Sequence, residues 1–125
     1  PNDPPDTPII TGDFIGITGV EYTYFFKTFD PDGNKIYFSI DWGNTTNRVD
    51  LGPYASGYEL TEKHTWRSMG TYIITVKARD THNAESNDTS FTVRILRNHY
   101  ILSPLFIQFF KQYHQLLCFQ KYFPL

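Results

Sequence analysis

Hydrophobic and polar side chains alternate in four segments of the chain. Side chains of a β-strand point in turn to the two faces of its sheet, so this alternation predicts strands with one buried face and one face in water. The alternating hydrophobic positions are Val20, Tyr22, Tyr24 and Phe26, then Ile36, Phe38, Ile40 and Trp42, then Tyr72, Ile74, Val76 and Ala78, and finally Phe91, Val93 and Ile95.

Glycine, proline, asparagine and aspartate separate these segments at short intervals, as expected for strands joined by turns. Weaker strand patterns near residues 8–12, 47–51 and 58–66 bring the predicted total to about seven strands in roughly 90 residues. The predicted fold is an all-β, seven-stranded immunoglobulin-like β-sandwich, and a small β-barrel is the alternative. Residues 1–8 contain four prolines and predict an extended linker or the lead-in to an edge strand.

The pattern becomes helical towards the C-terminus. Ser103 is suited to cap a helix and Pro104 to begin one, and hydrophobic residues then recur at the spacing of one helix face. We predict an amphipathic helix of about four turns, too polar to span a bilayer. The chain therefore divides into a β-sandwich over residues 1–97 and an amphipathic helical tail over residues 98–125.

Charge follows the same division. The chain has 125 residues, of which 40% are hydrophobic and 18% are aromatic, and its net charge is −2. Residues 1–88 hold seven Lys/Arg and thirteen Asp/Glu, a balance of 7 − 13 = −6, whereas residues 89–125 hold four basic residues and no acid. An acidic body with so few basic residues in its tail argues against nucleic-acid binding. The chain begins with Pro1, and we expect a mature, excised or incomplete piece of a longer product.

No sequence motif of an enzyme is present. The four histidines lack the spacing of metal ligands, and the single cysteine, Cys118, excludes an intramolecular disulfide framework. Cys118 lies in the hydrophobic run of the tail and is interpreted as a packed thiol rather than a nucleophile. His64 is interpreted as a structural histidine that hydrogen-bonds a loop backbone. We therefore predict that the chain is not an enzyme.

Several motifs then occur in the order of a known family, and over roughly residues 1–96 the chain resembles a PKD domain. The matching segments are Asp30-Pro31-Asp32-Gly33, Ile36 to Asp41-Trp42-Gly43, His64-Thr65-Trp66, Gly70-Thr71-Tyr72 and Val76 to Asp80. The resemblance implies a buried Trp42 between the sheets and a tyrosine-corner role for Tyr72. The chain departs from the family pattern at Asn44-Thr45 and at Asn83, where glycine-containing turns are expected; Asn83 tolerates a positive φ at small cost.

The resemblance also implies a metal site. Some PKD-like domains, notably those of bacterial collagenases, bind Ca²⁺ with the aspartates of the first turn, the aspartate that ends the sixth strand and an N-terminal asparagine. On this chain those positions are Asp30, Asp32, Asp80 and Asn2. We expect a structural Ca²⁺ that holds the linker, because three converging carboxylates would otherwise repel one another. The alternative is that Asp30 and Asp32 only cap their turn.

Two Asn-x-Thr triplets, at Asn44 and Asn87, are candidate glycosylation acceptors in predicted turns. The tail is predicted to pack against the sandwich or a copy of itself, or to contact a membrane surface or a partner. Three aromatic residues, Phe25, Tyr37 and Tyr54, are predicted to form a contact patch or to pack on the sheet faces.

The function implied by the resemblance is that of a non-catalytic extracellular or cell-surface module in a microbial protein. Spacing, adhesion, or contact with a protein or carbohydrate beside neighbouring domains is the expected role. The alternatives are an accessory binding domain of a secreted hydrolase whose catalytic part is absent here, and an oligomerisation module driven by the tail.

Overall fold

The chain folds into a β-sandwich. The structure is a computed structural model, and it describes residues 1–44 and 48–98. The described strands are β1 (Ile9–Gly12), β2 (Ile15–Ile17), β3 (Glu21–Lys27), β4 (Ile36–Asp41), β5 (Val49–Tyr54), β6 (Leu60–Thr65), β7 (Gly70–Asp80) and β8 (Thr89–Leu96). The predicted tail helix, with Cys118, lies outside the described residues. Within the part described, no helix is long and apolar enough to cross a membrane.

The strands form two sheets, so the immunoglobulin-like sandwich is confirmed and the small barrel is wrong. One sheet has three strands in the order β1-β3-β6, and the other has five in the order β2-β8-β7-β4-β5. Neighbouring strands are antiparallel except for β2, which runs parallel to β8.

The four alternating segments coincide with β3, β4, β7 and β8, and their hydrophobic positions except Val20 lie in the core between the sheets or pack against it. Burial of these faces removes apolar surface from water, which is the main favourable contribution to folding. The fully buried large side chains include Tyr24, Phe26, Phe38 and Trp66, and Trp42 is 9% exposed. The predicted buried position of Trp42 is therefore confirmed.

Two strands differ from the prediction. Strand β2 was not predicted because it has only three residues, Ile15–Ile17, whose single buried position is a glycine, Gly16. Strand β5 continues through Gly52-Pro53, beyond the predicted end near residue 51, although glycine and proline are expected to separate strands. An edge strand tolerates a proline there because the outer edge of β5 needs no N–H donor, and the pairing shifts register between Ile36 and Phe38 to accommodate it.

Aromatic side chains close one end of the sandwich, which we call the aromatic pole: Trp42, His64, Trp66 and Tyr72 with the ring of Tyr24 beneath them. The Tyr72 hydroxyl donates a hydrogen bond to the Ser68 carbonyl at 2.7 Å, which confirms the predicted tyrosine corner. The Trp66 indole N–H donates to the Trp42 carbonyl at 3.3 Å. Gly43 follows Trp42 with φ of +86°, and a Cβ there would lie 2.7 Å from the Ile73 carbonyl oxygen, so this turn requires glycine.

Candidate functional site

The N-terminal segment lies across the opposite end of the sandwich and binds both sheets. We call residues 1–8 the strap and this end the strapped pole. At the five-stranded sheet, the Asn2 amide donates to the Asp80 carboxylate, at the end of β7, at 2.7 Å. At the three-stranded sheet, the Asp6 N–H donates to the Phe29 carbonyl at 2.8 Å, and the Thr28 hydroxyl donates to the Asp6 carbonyl.

The strap is also packed. Pro5 and Pro8 are buried, and the Thr89 hydroxyl donates to the Pro8 carbonyl. Prolines suit this position because they lack the N–H that a buried backbone would have to satisfy. The prediction of a linker or lead-in is thus refined: the segment is docked along its length. The sequence offered one usable signal, since prolines with fixed φ lower the entropy that docking costs.

Asp80 is the centre of the strapped pole, and its side chain is completely buried. One carboxylate oxygen accepts the backbone N–H groups of His82 and Ala84, at 2.8 and 3.0 Å, and the other accepts the Asn2 amide. Burial alone would raise the pKa of Asp80, but the hydrogen bonds from Asn2, Ala84 and His82 outweigh it and lower this pKa. Asp80 is therefore a buried anion held by hydrogen bonds.

The turn between β3 and β4 supplies the other two carboxylates. One oxygen of Asp30 accepts the backbone N–H groups of Asp32 and Asn34, at 3.1 and 3.0 Å. These bonds are the turn-capping contacts that the alternative interpretation predicts. Asp30 is only 5% exposed, and its other carboxylate oxygen is buried with no hydrogen-bond partner in the described part of the chain. Asp32 accepts the backbone N–H of Asp3, in the strap, at 2.7 Å.

Asn34 connects these carboxylates to Asp80. Its side-chain amide donates to the Asn2 carbonyl oxygen at 2.9 Å and lies 3.2 Å from a ring nitrogen of His82. The four residues predicted as metal ligands, Asn2, Asp30, Asp32 and Asp80, thus lie together at one pole. Asn34, which alternates with Asp30 and Asp32 in the turn, and His82 were not among the predicted ligands.

The donor set of the strapped pole fits Ca²⁺ in its chemistry, because Ca²⁺ prefers carboxylate and amide oxygens. The unpartnered oxygen of Asp30 is the kind of buried atom that a cation would satisfy. However, the described residues contain no group of three or more His, Cys, Asp or Glu side chains placed to hold a metal ion. Both oxygens of Asp80 already accept hydrogen bonds, and the Asn2 amide nitrogen is the group that faces it.

His64 differs from its predicted role as a histidine that binds a loop backbone. Its ring stacks on Trp42 with a centroid distance of 4.6 Å and an interplanar angle of 4°, and its Nε2 atom is buried without a partner within the described ranges. Burial lowers the pKa of His64. The side chain is therefore a neutral packing element of the aromatic pole.

The three surface aromatics do not form one patch. Phe25 lies on the outer face of the three-stranded sheet, in register with Thr61. Tyr37 lies on the outer face of the other sheet beneath the Arg79 guanidinium, 4.2 Å from the ring centroid. Tyr54 lies in the same sheet as Tyr37 but packs against Phe38 of the core. The predicted contact patch is therefore wrong, and the alternative, packing on the sheet faces, describes these residues.

Both candidate glycosylation sites are exposed. Asn87 lies in the connection between β7 and β8, and the hydroxyl of its sequon threonine, Thr89, donates to the strap. Asn44 follows Gly43 at the aromatic pole, and the two threonines of its triplet lie outside the described residues. Asn83 takes the positive φ predicted for it, 68°.

Comparison with solved structures finds strong similarity to PKD domains. The chain is 42% identical to the PKD domain of an M14-like peptidase from a Thermoplasmatales archaeon; the match covers 76% of this chain and 98% of that one, with a TM-score of 0.74. The PKD domain of the human VPS10 domain-containing receptor SorCS2 matches at 16% identity over 80% of each chain, with a TM-score of 0.58.

A CARDB domain from Pyrococcus furiosus, solved in complex with two metal ions, matches at 21% identity with a TM-score of 0.50, over 78% of this chain and 96% of that one. At that identity the likeness concerns the fold alone. A scan against family models and a search of curated proteins each found no match.

Proposed function

This chain belongs to the PKD-domain family, and on that premise we propose that it is a non-catalytic extracellular spacer that holds neighbouring domains of a surface protein in a fixed orientation. PKD domains are non-catalytic modules that are commonly found in extracellular and surface proteins. The observation that carries the proposal is the strap, which makes the entry of the chain part of the folded body.

The two ends of the described chain lie at opposite poles, as a spacer requires. The strap enters beside Asp80, where β7 ends. Leu96 ends β8 beside Ile17 at the other pole, and there the backbone N–H of Asn98 donates to the Thr18 hydroxyl at 3.1 Å. Strand β7 connects the two poles with 11 residues, which corresponds to about 35 Å at the rise of a β-strand. A strap that is docked on the sandwich fixes the direction in which a preceding domain is held, whereas a free proline-rich linker would fix only its distance.

The experiment measures the backbone order of the strap in the full chain by ¹⁵N relaxation. We expect order parameters of about 0.85 for Asp3 and Asp6 in the wild type, and values below about 0.6 for Asp3 in Asn2→Ala. Asn87→Ala is the matched control, because it removes an exposed asparagine outside the strap and should leave both values unchanged. Low order parameters in the wild-type strap would overturn the orienting role.

The runner-up is an accessory domain of a secreted hydrolase. One observation favours it: the 42% identical relative is the PKD domain of an M14-like peptidase. The test is the full reading frame that encodes this chain. A peptidase domain in the same frame would establish the accessory role, and further repeats of this domain in its place would favour a surface stalk.

We also propose Ca²⁺ as a structural ligand of the strapped pole, on the strength of the unpartnered Asp30 oxygen. Calorimetric titration of the full chain with CaCl₂ should release or absorb heat and raise the melting temperature, and Asp32→Ala should weaken both effects. Asp88→Ala is the control, because Asp88 is an exposed aspartate outside the strap network. Absence of heat and of a melting shift would show that hydrogen bonds alone hold the carboxylates together.

A further inference from the structure

A groove of about 260 Å³ lies on the outer face of the five-stranded sheet. Tyr37 and Ser39 of β4 form part of its floor, in register with Arg79 and Lys77 of β7. These four residues point outward because they alternate with core positions of their strands. The side chains of Arg48, Asp50 and Glu85 complete the lining. The floor of the groove is thus built on paired strands, and Arg48 and Glu85 reach it from connections beside them.

The cations of the groove are held in place by neighbours. The Arg79 guanidinium lies 4.2 Å above the Tyr37 ring and donates one hydrogen bond, of 3.0 Å, to the Asn83 side chain. The Lys77 ammonium lies 3.3 Å from the Glu85 carboxylate. A guanidinium has five N–H donors, so Arg79 retains donors for a ligand while its position is already fixed. Preorganised donors of this kind lower the entropy cost of binding.

The charge of the groove differs from that of the body around it. Three of the seven basic residues of the acidic body, Arg48, Lys77 and Arg79, line the groove together with two acids, Asp50 and Glu85. Lys77 faces Glu85 and Arg48 lies 4.0 Å from Asp88, whereas Arg79 has no carboxylate partner among the described residues. The Arg79 guanidinium therefore remains available to an anionic ligand, and its fork matches a carboxylate in particular. The two carboxylates and the Ser39 hydroxyl supply acceptors, which a ligand rich in hydroxyl groups would use.

Volume and backbone pairing distinguish a saccharide from a peptide. Pockets for drug-sized ligands measure roughly 300–1,000 Å³, so a groove of about 260 Å³ suits a unit as small as one sugar ring. Strands β4 and β7 are paired on both edges, so the groove floor offers no free backbone edge to which an extended peptide could add as a strand.

We propose that this groove binds a uronic-acid unit of an acidic polysaccharide, with its carboxylate on Arg79 and Lys77 and its hydroxyl groups on Glu85, Asp50 and Ser39. This binding role goes beyond the spacer role and does not depend on it. The strap and the groove lie on different parts of the molecule, so failure of one leaves the other intact.

The test is an NMR titration of the full chain with trigalacturonate. We expect the amide signals of Tyr37, Ser39, Lys77 and Arg79 to shift, and Arg79→Gln to weaken the affinity about tenfold through the loss of a charge-assisted hydrogen bond. Lys63→Gln, which removes the same charge from the three-stranded sheet, should leave the affinity within about twofold. Thermal unfolding of both variants confirms that each is folded.

Two further ligands make the outcome decisive. A neutral galactose trimer that shifts the same signals equally would overturn the role of the carboxylate. Polyglutamate that binds as well as trigalacturonate would reassign the groove to acidic peptides. Absence of any shift with trigalacturonate would also overturn the proposal, whatever the variants show.

Discussion

The two ends of the sandwich are closed by different kinds of chemistry. At the aromatic pole, rings of Trp42, Trp66 and Tyr72 pack together, and their N–H and O–H groups donate to backbone carbonyls. At the strapped pole, the buried carboxylates of Asp30 and Asp80 accept backbone N–H groups. The aromatic pole thus satisfies backbone carbonyl groups with N–H and O–H donors, and the strapped pole satisfies backbone N–H groups with carboxylate oxygens.

Because of this difference, different kinds of substitution should destabilise the two poles. Packing of aromatic rings depends on shape and buried area, and it loses stability when volume is removed. A buried carboxylate depends on its complete set of donors, and it loses stability when one partner or the charge itself is removed. The strap lies at the strapped pole, so its docking depends on the charged side chains there.

The largest expected effect is at the aromatic pole. Trp66→Ala removes a ring that is fully buried among Tyr24, Trp42 and Tyr72, and should lower the free energy of unfolding by about 3–5 kcal/mol. Urea denaturation measures the change. Met69→Ala, an exposed side chain in the loop before β7, should cost less than about 0.5 kcal/mol. A loss below about 1 kcal/mol in Trp66→Ala would show that this pole is not closed by packing.

The corresponding change at the strapped pole is Asp80→Asn. The side-chain amide of the new asparagine has one oxygen and one NH₂ group. If the NH₂ group faces Asn2, two amide donors oppose each other, and if it faces His82 and Ala84, their N–H groups lose their acceptor. We therefore expect a loss of about 3 kcal/mol in the free energy of unfolding. Asp88→Asn, an exposed aspartate 4.0 Å from Arg48, should cost less than about 0.5 kcal/mol. Equal losses in the two variants would contradict the central role of Asp80.

Acid should weaken the two poles in separate pH windows. The pKa of His64 is lowered by burial from 6.5, so its contribution is complete above pH 6.5 and is lost as the pH falls towards the folded-state pKa. The pKa of Asp80 is lowered from 3.8, so its contribution is complete above pH 3.8 and is lost below that value. Thermal melts from pH 8 to pH 2 measure both windows.

Variants assign these windows to their poles. His64→Phe keeps a flat ring against Trp42 but cannot take up a proton, so the loss of stability just below pH 6.5 should become smaller. Asp80→Asn should remove the dependence below pH 3.8 and leave the upper window unchanged. Identical pH profiles in both variants and the wild type would show that other groups control the response to acid.

The smallest expected effect is that of the tyrosine corner. Tyr72→Phe keeps the ring on Trp66 but removes the hydrogen bond to the Ser68 carbonyl, at a cost of about 1 kcal/mol in the free energy of unfolding. Tyr58→Phe is the matched control, because Tyr58 is an exposed tyrosine at the other end of the domain, and it should change stability by less than about 0.5 kcal/mol. A larger loss in Tyr58→Phe than in Tyr72→Phe would contradict the assignment.

Most of the fold was predictable because alternation is a local property of the chain. The buried faces of β3, β4, β7 and β8, the buried Trp42 and the hydrogen bond of Tyr72 follow from patterns within a few residues or from the family motifs. Strand β2 and the end of β5 were not predicted because pairing with neighbouring strands stabilises them. The three residues of β2 show no alternating pattern, and Gly52-Pro53 in β5 is typical of a turn.

The residues of the candidate site could be predicted from the sequence, but the hydrogen bonds that join them could not. The family motifs identified Asn2, Asp30, Asp32 and Asp80, and the structure places all four at one pole. The hydrogen bonds among them also involve Asn34 and His82, which were not among the predicted ligands. The groove around Arg79 was not predicted at all, because its residues come from three strands and the connections beside them, and the sequence does not specify the order of those strands in the sheet.

The sequence by itself determined which residues face inwards, since the period of two follows from the geometry of a strand and the cost of exposing hydrophobic side chains. The tertiary structure alone decided which distant polar groups meet. Asn2 and Asp80 are 78 positions apart, and the strap docks only because the ends of both sheets present acceptors and donors at the right places. Such pairings depend on strand order and register, which are properties of the whole fold rather than of any segment.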